Sequence, residues 1–187
     1  MSKDWENTVA NEMHRSTDDW LRPYRCGYSG NSAIPQPDVL LTDATDGTNY
    51  ALELKGPIKS ERLYIEAEDI QQLVDCTNAT TVAYFVVKFQ NRRPVVIRYA
   101  ESVFGVEDFD EKSDAEKLAY ICPAAFDPHV TDSGNLRLDK PSLDDWPSAT
   151  ASADAHLCIM SDLGIVNENS VEADGSILHP EKAGYTE

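Results

Sequence analysis

Cysteine is scarce and scattered in this chain. Its four residues, Cys26, Cys76, Cys122 and Cys158, are far apart and none belongs to a CxxC pair. A disulfide framework or a zinc site is therefore disfavoured, and inert, partly buried thiols are expected. The four histidines, His14, His129, His156 and His179, are equally dispersed, so structural or solvent-facing roles are expected of them rather than metal ligation. Long apolar runs are missing too. The longest, Val82 to Val87, falls far short of the roughly 20 residues that cross a bilayer. The opening Met1-Ser2-Lys3-Asp4-Trp5-Glu6 is charged and has no secretory apolar stretch, so the expectation is a cytoplasmic protein with no membrane partner.

Positive charge is the other deficit. The 187 residues carry 16 Lys and Arg against 33 Asp and Glu, a net charge of −17. Residues 1–100 hold 11 basic and 14 acidic side chains, and residues 101–187 hold 5 and 19. A protein that binds DNA by releasing counterions from phosphates needs the opposite balance. Two readings follow: the chain does not bind nucleic acid, or it works in concentrated salt, where an acidic surface aids solubility and counterion release contributes little. The Asp-rich, Lys-poor balance is similar to that of halophilic proteins and favours the second, a high-salt intracellular environment.

With 41% hydrophobic residues the chain has enough apolar content for one packed domain with an appendage. Trp5, Val9, Met13 and Trp20 recur at roughly helical spacing and predict a helix over 4–21. Glu12 falls on its inward side, where an uncompensated charge costs several kcal/mol; the alternative is a flank residue that meets solvent or pairs with Arg15. Strands are predicted over 24–28, 38–42, 49–55, 81–89 and 95–99, with a helix over 66–78. The order helix, three strands, helix, two strands reads as an α/β fold with a central mixed β-sheet flanked by helices. Beyond about 106 the pattern decays. Residues 1–106 are assigned to the core and 107–187 to an acidic C-terminal extension, partly disordered, with short helices over 114–121 and 154–163.

The chemistry concentrates at one hairpin. Asp38 follows Pro37 at the mouth of a strand, and the Asp46-Gly47 turn folds the next strand back beside it. Along Asn49-Tyr50-Ala51-Leu52-Glu53-Leu54-Lys55, side chains alternate, so Leu52 and Leu54 face a core while Glu53 and Lys55 share the other face. Two carboxylates and an ammonium can then converge. Crowded carboxylates repel, and a divalent oxygen-seeking cation relieves the repulsion; Mg²⁺ takes one or two carboxylates and keeps several waters. Such an ion acidifies its water and neutralises charge on a phosphate. The ordinary alternative for Glu53 and Lys55 is a solvated strand face. Ser29-Gly30-Asn31-Ser32 is a polar loop of the kind that presents hydroxyls and amides to a phosphate, or simply a turn.

Pro37-Asp38 followed by Glu53-Leu54-Lys55 across a hairpin resembles the PD-(D/E)xK pattern of the restriction-endonuclease-like nucleases. With Glu12 on a preceding helix, Ser29-Gly30 before the first motif strand, Leu63-Tyr64-Ile65 entering a helix, and the Phe85-Val86-Val87-Lys88 strand, residues 9–99 look like the archaeal Holliday junction resolvases, of cellular or viral haloarchaeal type. The resemblance implies a restriction-endonuclease-like core. It implies Mg²⁺, or Mn²⁺, held by Asp38, Glu53 and Glu12 with the Leu54 carbonyl, Lys55 orienting or activating the attacking water, and Ser29 touching the phosphate. It also implies a homodimer making paired nicks in a four-way DNA junction. DNA contacts are expected from Arg15, Arg22, Arg25, Lys59, Arg62, Lys88, Arg92 and Arg93, with Arg92-Arg93 foremost as a hairpin tip. Two departures stand out: the extension is longer and more acidic than such resolvases need, and the core is acidic where theirs is basic. Two alternatives keep the fold, namely a PD-(D/E)xK nuclease acting on duplex or flap DNA and a catalytically silent module whose acidic tail binds a protein.

Overall fold

A computed structural model describes residues 3–17, 20–26, 36–146, 155–166 and 177. The first helix, α1 (Lys3–Ser16), buries Trp5, Val9, Ala10 and Met13 along one stripe. It ends earlier than its apolar spacing predicts. The Thr17 hydroxyl turns back to the Met13 carbonyl at 2.8 Å and the chain leaves the helix, so that Trp20 lies beyond the turn and Leu21 opens β1 (Leu21–Arg25).

The strands β2 (Val39–Asp43), β3 (Asn49–Ile58), β5 (Thr81–Phe89) and β6 (Val95–Arg98) join β1 in one sheet of order β1-β2-β3-β5-β6. It is mixed: β3 and β5 run parallel and every other pair is antiparallel. A parallel pair needs a crossover, which is supplied by β4 (Arg62–Ile65) and α2 (Ala67–Asp75). Both faces of the sheet are covered, which explains the near-continuous apolar run of β5. On one face Leu52, Leu54 and Val86 pack against α1 and against Ile159 and Met160 of α4 (Ala155–Asp162). On the other, Ala51, Phe85 and Val87 pack against Ile70 and Leu73 of α2 and Leu118 of α3 (Asp114–Ile121). The expected α/β fold with a central mixed sheet flanked by helices agrees with this architecture.

The first strand lies at Leu21–Arg25, three residues before the predicted 24–28, and two larger features go beyond the expectation. Leu63-Tyr64-Ile65 leads into α2 as expected but is itself a strand, and it pairs with β8 (Leu136–Asp139), which pairs in turn with β7 (His129–Val130), to form a second, three-stranded sheet. Its partners lie some 70 residues away, at Arg62↔Asp139 and Ile65↔Leu136, where local periodicity carries no signal. The boundary at 106 also does not coincide with a break in packing. Leu118, Phe126, Leu136 and Leu138 are fully buried in the same cluster as Phe85 and Ile70. The two helices predicted in the extension form as α3 and α4. Residues 147–154 and most of 167–187, where part of the disordered chain was expected, lie outside the described residues. Among the described residues no helix is long and apolar enough to cross a membrane.

Truncation after residue 106 strips that cluster of four fully buried side chains. The shortened protein is expected to lose its cooperative urea transition, and Phe126→Ala in the full chain to lose about 3–5 kcal/mol. A truncated chain that unfolds cooperatively at the midpoint of the full chain would overturn the shared core.

Candidate active site at the β2–β3 hairpin

Strand β2 begins at Val39, opposite Leu52, so the Leu54 amide of β3 extends past the end of the ladder. A buried amide needs an acceptor. The Asp38 carboxylate takes it, with Oδ2 2.8 Å from the Leu54 nitrogen. This bond locks the carboxylate of the Pro-Asp pair against the strand that carries Glu53 and Lys55.

Glu53 and Lys55 project from the face covered by α2. The Lys55 ammonium, only 3% exposed, donates to Glu53 Oε1 at 2.8 Å and to Asp69 Oδ2 of α2 at 2.6 Å. Burial pushes the Glu53 carboxyl up to about 7; the charges of Asp38 and Asp69 add to this, and Lys55 opposes it. Asp38 is likewise raised, first by burial and then by Glu6 and Asp69, against the Leu54 hydrogen bond and Lys55. For Lys55, burial alone would lower the pKa, but the Glu53 charge and the bonds to Asp69 and Glu53 reverse the effect, and the net direction is upward. The solvated-strand alternative therefore fails for this pair: both side chains are largely buried and joined to each other.

Directly after Lys55 the parallel ladder with β5 shifts register, between Lys55 and Ile58. Gly56 sits in this irregularity with φ +154°, and a Cβ there would lie 2.5 Å from the Lys88 carbonyl oxygen. Only glycine lets the two strands approach so closely at this point.

The α1 carboxylate whose charge reaches Asp38 is that of Glu6. Glu12 accepts from Arg15 Nη1 at 2.8 Å on its own helix, with its side chain 37% exposed, which is the flank alternative. Glu6 is near enough to Asp38 to raise its pKa and is held by Arg25 Nη2 at 3.1 Å. The signal in the sequence was there, since Glu6 precedes the buried Val9 and Ala10 by three and four positions and so lies on the inward flank of α1. Its tie to Arg25 depends on where β1 docks, which no local pattern shows. Asp69 was also missed. In the first turn of α2 an acidic residue is expected for its favourable interaction with the helix dipole, and nothing local separates it from its neighbour Glu68. Ser29 lies outside the described residues.

Among the DNA-contact candidates, Lys88 is corrected. It is 4% exposed and donates to the Arg92 carbonyl at 2.8 Å, because its place in the doubly covered strand β5 directs it inward. Arg92 and Arg93, at the hairpin tip, bond to the Pro141 carbonyl and to Asp162. Arg62 lies beside Asp139 at 3.5 Å. Arg15, Arg22, Arg25 and Lys59 are exposed.

Asp38 and Glu53 form a donor set of hard oxygens whose raised pKa values a divalent cation would relieve, and two carboxylates suffice for Mg²⁺. The donor set fits that ion by chemistry. Among the described residues no three Asp, Glu, His or Cys side chains converge at ligand distance, and the charge compensation present is the Lys55 ammonium. The four cysteines are free thiols, Cys122 buried and the others partly so.

No family model matches the chain, and no curated protein does. Among solved structures it is similar to Hjc of Archaeoglobus fulgidus, a Holliday junction resolvase from an archaeal hyperthermophile, with a TM-score of 0.50 and 16% identity. The match covers 84% of this chain and 99% of that one. The likeness is one of fold.

Two measurements test the site. A carboxyl raised from 4.5 to about 7 holds its proton more tightly in the native than in the unfolded state, so the apo protein loses stability as pH rises through that window. Lys55, raised from an already alkaline value, adds no slope there. Mg²⁺, which needs the ionised pair, is therefore expected to raise Tm more at pH 8 than at pH 6; an equal rise at both would contradict the assignment. Gly56→Ala is expected to cost ~2 kcal/mol or more in urea unfolding, and a neutral result would show that the close approach to Lys88 is not required.

Proposed function

We propose that the protein is a divalent-metal-dependent endodeoxyribonuclease that resolves four-way DNA junctions by paired phosphodiester hydrolysis. One observation carries the reading: Asp38 and Glu53 are brought together across the β2–β3 hairpin with the Lys55 ammonium beside them, in a fold similar to that of Hjc, a Holliday junction resolvase. The junction as substrate, paired nicking and a homodimeric assembly are supported by the resemblance of residues 9–99.

On this reading Asp38 and Glu53 hold Mg²⁺ or Mn²⁺, with Glu6 in the role expected of Glu12. The bound ion would supply a more acidic water and positive charge for the phosphate oxygens. The protein's own groups do the positioning. Asp38 is fixed by the Leu54 amide and keeps one carboxylate in place. Lys55, with its pKa raised, stays protonated through the neutral range, so it contributes charge and hydrogen-bond donors rather than acting as a base. Exposed Arg15, Arg22, Arg25 and Lys59 are candidates for backbone contacts, Arg15 and Arg25 by exchanging their carboxylate partners Glu12 and Glu6. The net charge of −17 fits work in concentrated salt, in an archaeal or viral setting.

The test is cleavage of labelled four-way junction, flap and duplex DNA in molar KCl with Mg²⁺ or Mn²⁺. Symmetric nicks confined to the junction are expected. Glu53→Ala should lower the rate ~10³-fold and Glu6→Gln at least about tenfold, while Glu12→Gln stays within about twofold. Cutting of duplex or flap alone would replace the junction with those substrates, and binding without metal-dependent cutting would leave a silent nuclease-like module.

A further inference from the structure

Lys55 raises a question that the proposed chemistry leaves open. Its ammonium and a metal ion have the same claim on Glu53, since Oε1 lies 2.8 Å from Nζ. A carboxylate that turns to a divalent cation carries less charge for its ammonium neighbour, and an ammonium 3% exposed cannot stay charged without an anion at bonding distance. Asp69 answers that need. It comes from a different element, the first turn of α2, and its bond to Lys55 is the shorter of the two, at 2.6 Å. Ile70 and Leu73, 1% exposed in the core beneath the sheet, fix the helix that carries it. An ammonium has three donors, so the bond to Asp69 does not use up its capacity to hold a water or a phosphate oxygen.

We propose that Asp69 is a positioning residue that keeps the Lys55 ammonium in the site when Glu53 turns to the metal. The proposal rests on the nuclease reading for its consequence, and on geometry alone for the Asp69–Lys55 bond. In this arrangement Glu53 is shared in the metal-free protein and released on loading, whereas Asp69 holds Lys55 in both states. Asp69 is not itself a metal ligand. It acts through Lys55, so its removal matters only while Lys55 is present.

The direct readout is the Lys55 ammonium resonance in ¹⁵N-lysine-labelled protein, identified by its absence from Lys55→Met. In the wild type a slowly exchanging signal is expected, and it should shift but persist when Mg²⁺ is added. In Asp69→Asn it should exchange several-fold faster without metal and broaden away with Mg²⁺, and Asp69→Glu should restore it. Single-turnover cleavage at saturating metal supplies the second arm: Asp69→Asn lowers the rate about tenfold in the wild type and less than about twofold in Lys55→Met. A persistent signal in Asp69→Asn, or an equal loss of rate in both backgrounds, overturns the role of Asp69. A wild-type signal indifferent to Mg²⁺, with no cleavage, overturns the nuclease reading instead, and the metal-free comparison still decides whether Asp69 holds the ammonium.

Discussion

A buried ammonium is the constraint around which this site is built. Lys55 lies between the central sheet and α2, where a charge without anions costs several kcal/mol, and two carboxylates meet it there. One is Glu53, placed on the same face by the two-residue period of β3. The other is Asp69, and its presence depends on α2 docking through Ile70 and Leu73. Gly56 completes the arrangement by letting β3 shift register against β5 immediately after Lys55. Disturb the helix, the strand period or the bulge, and the ammonium loses a partner.

The same burial acts in the opposite sense on the carboxylates. Asp38 and Glu53 are both raised, with burial as the leading cause and their neighbours' negative charge adding to it. The site thus holds more negative charge than one lysine can neutralise. Such frustration destabilises the metal-free fold, and on the proposed reading it is tolerated because the cation that relieves it would also supply the chemistry. The shared core that extends through Leu118, Phe126 and Leu138 gives the fold the means to withstand that cost.

What was legible in the sequence follows from the range of the interactions involved. The hairpin around Asp46-Gly47, the strand at Thr81–Phe89 and the helix at Asp114–Ile121 are local, and periodicity and turn chemistry place them within a residue or so of their positions. The facing of Glu53 and Lys55 is local as well. The second sheet is not: Leu63 pairs with Leu138, and no window short enough to show periodicity spans that gap. The surroundings of Glu12 and Glu6 are a subtler case. Both lie within reach of the apolar stripe of α1, but Glu12 pairs with Arg15 on its own helix, whereas Glu6 pairs with Arg25 of β1 and its charge acts on Asp38. Lys88 misled for the converse reason, because a cation in a strand covered on both faces has no exposed side to occupy.

The acidic balance takes on a more specific meaning once the partners are placed. Several basic side chains that could form a DNA-binding stripe are already matched with acids or carbonyls: Arg25 with Glu6, Arg62 with Asp139, Arg92 with Pro141 and Arg93 with Asp162. A surface of this kind gains little from counterion release, since bringing an arginine to a phosphate first breaks an ion pair. In concentrated salt that disadvantage shrinks, because long-range attraction is screened for any protein and exposed pairs contribute less. On the proposed reading, recognition would then rest on the short-range part of the problem: the shape of the DNA, and the positive charge that a cation held by Asp38 and Glu53 would supply to the phosphate. An acidic surface opposes that reading only where affinity comes from charge at a distance, and here the Lys55 ammonium lies within a hydrogen bond of both Glu53 and Asp69.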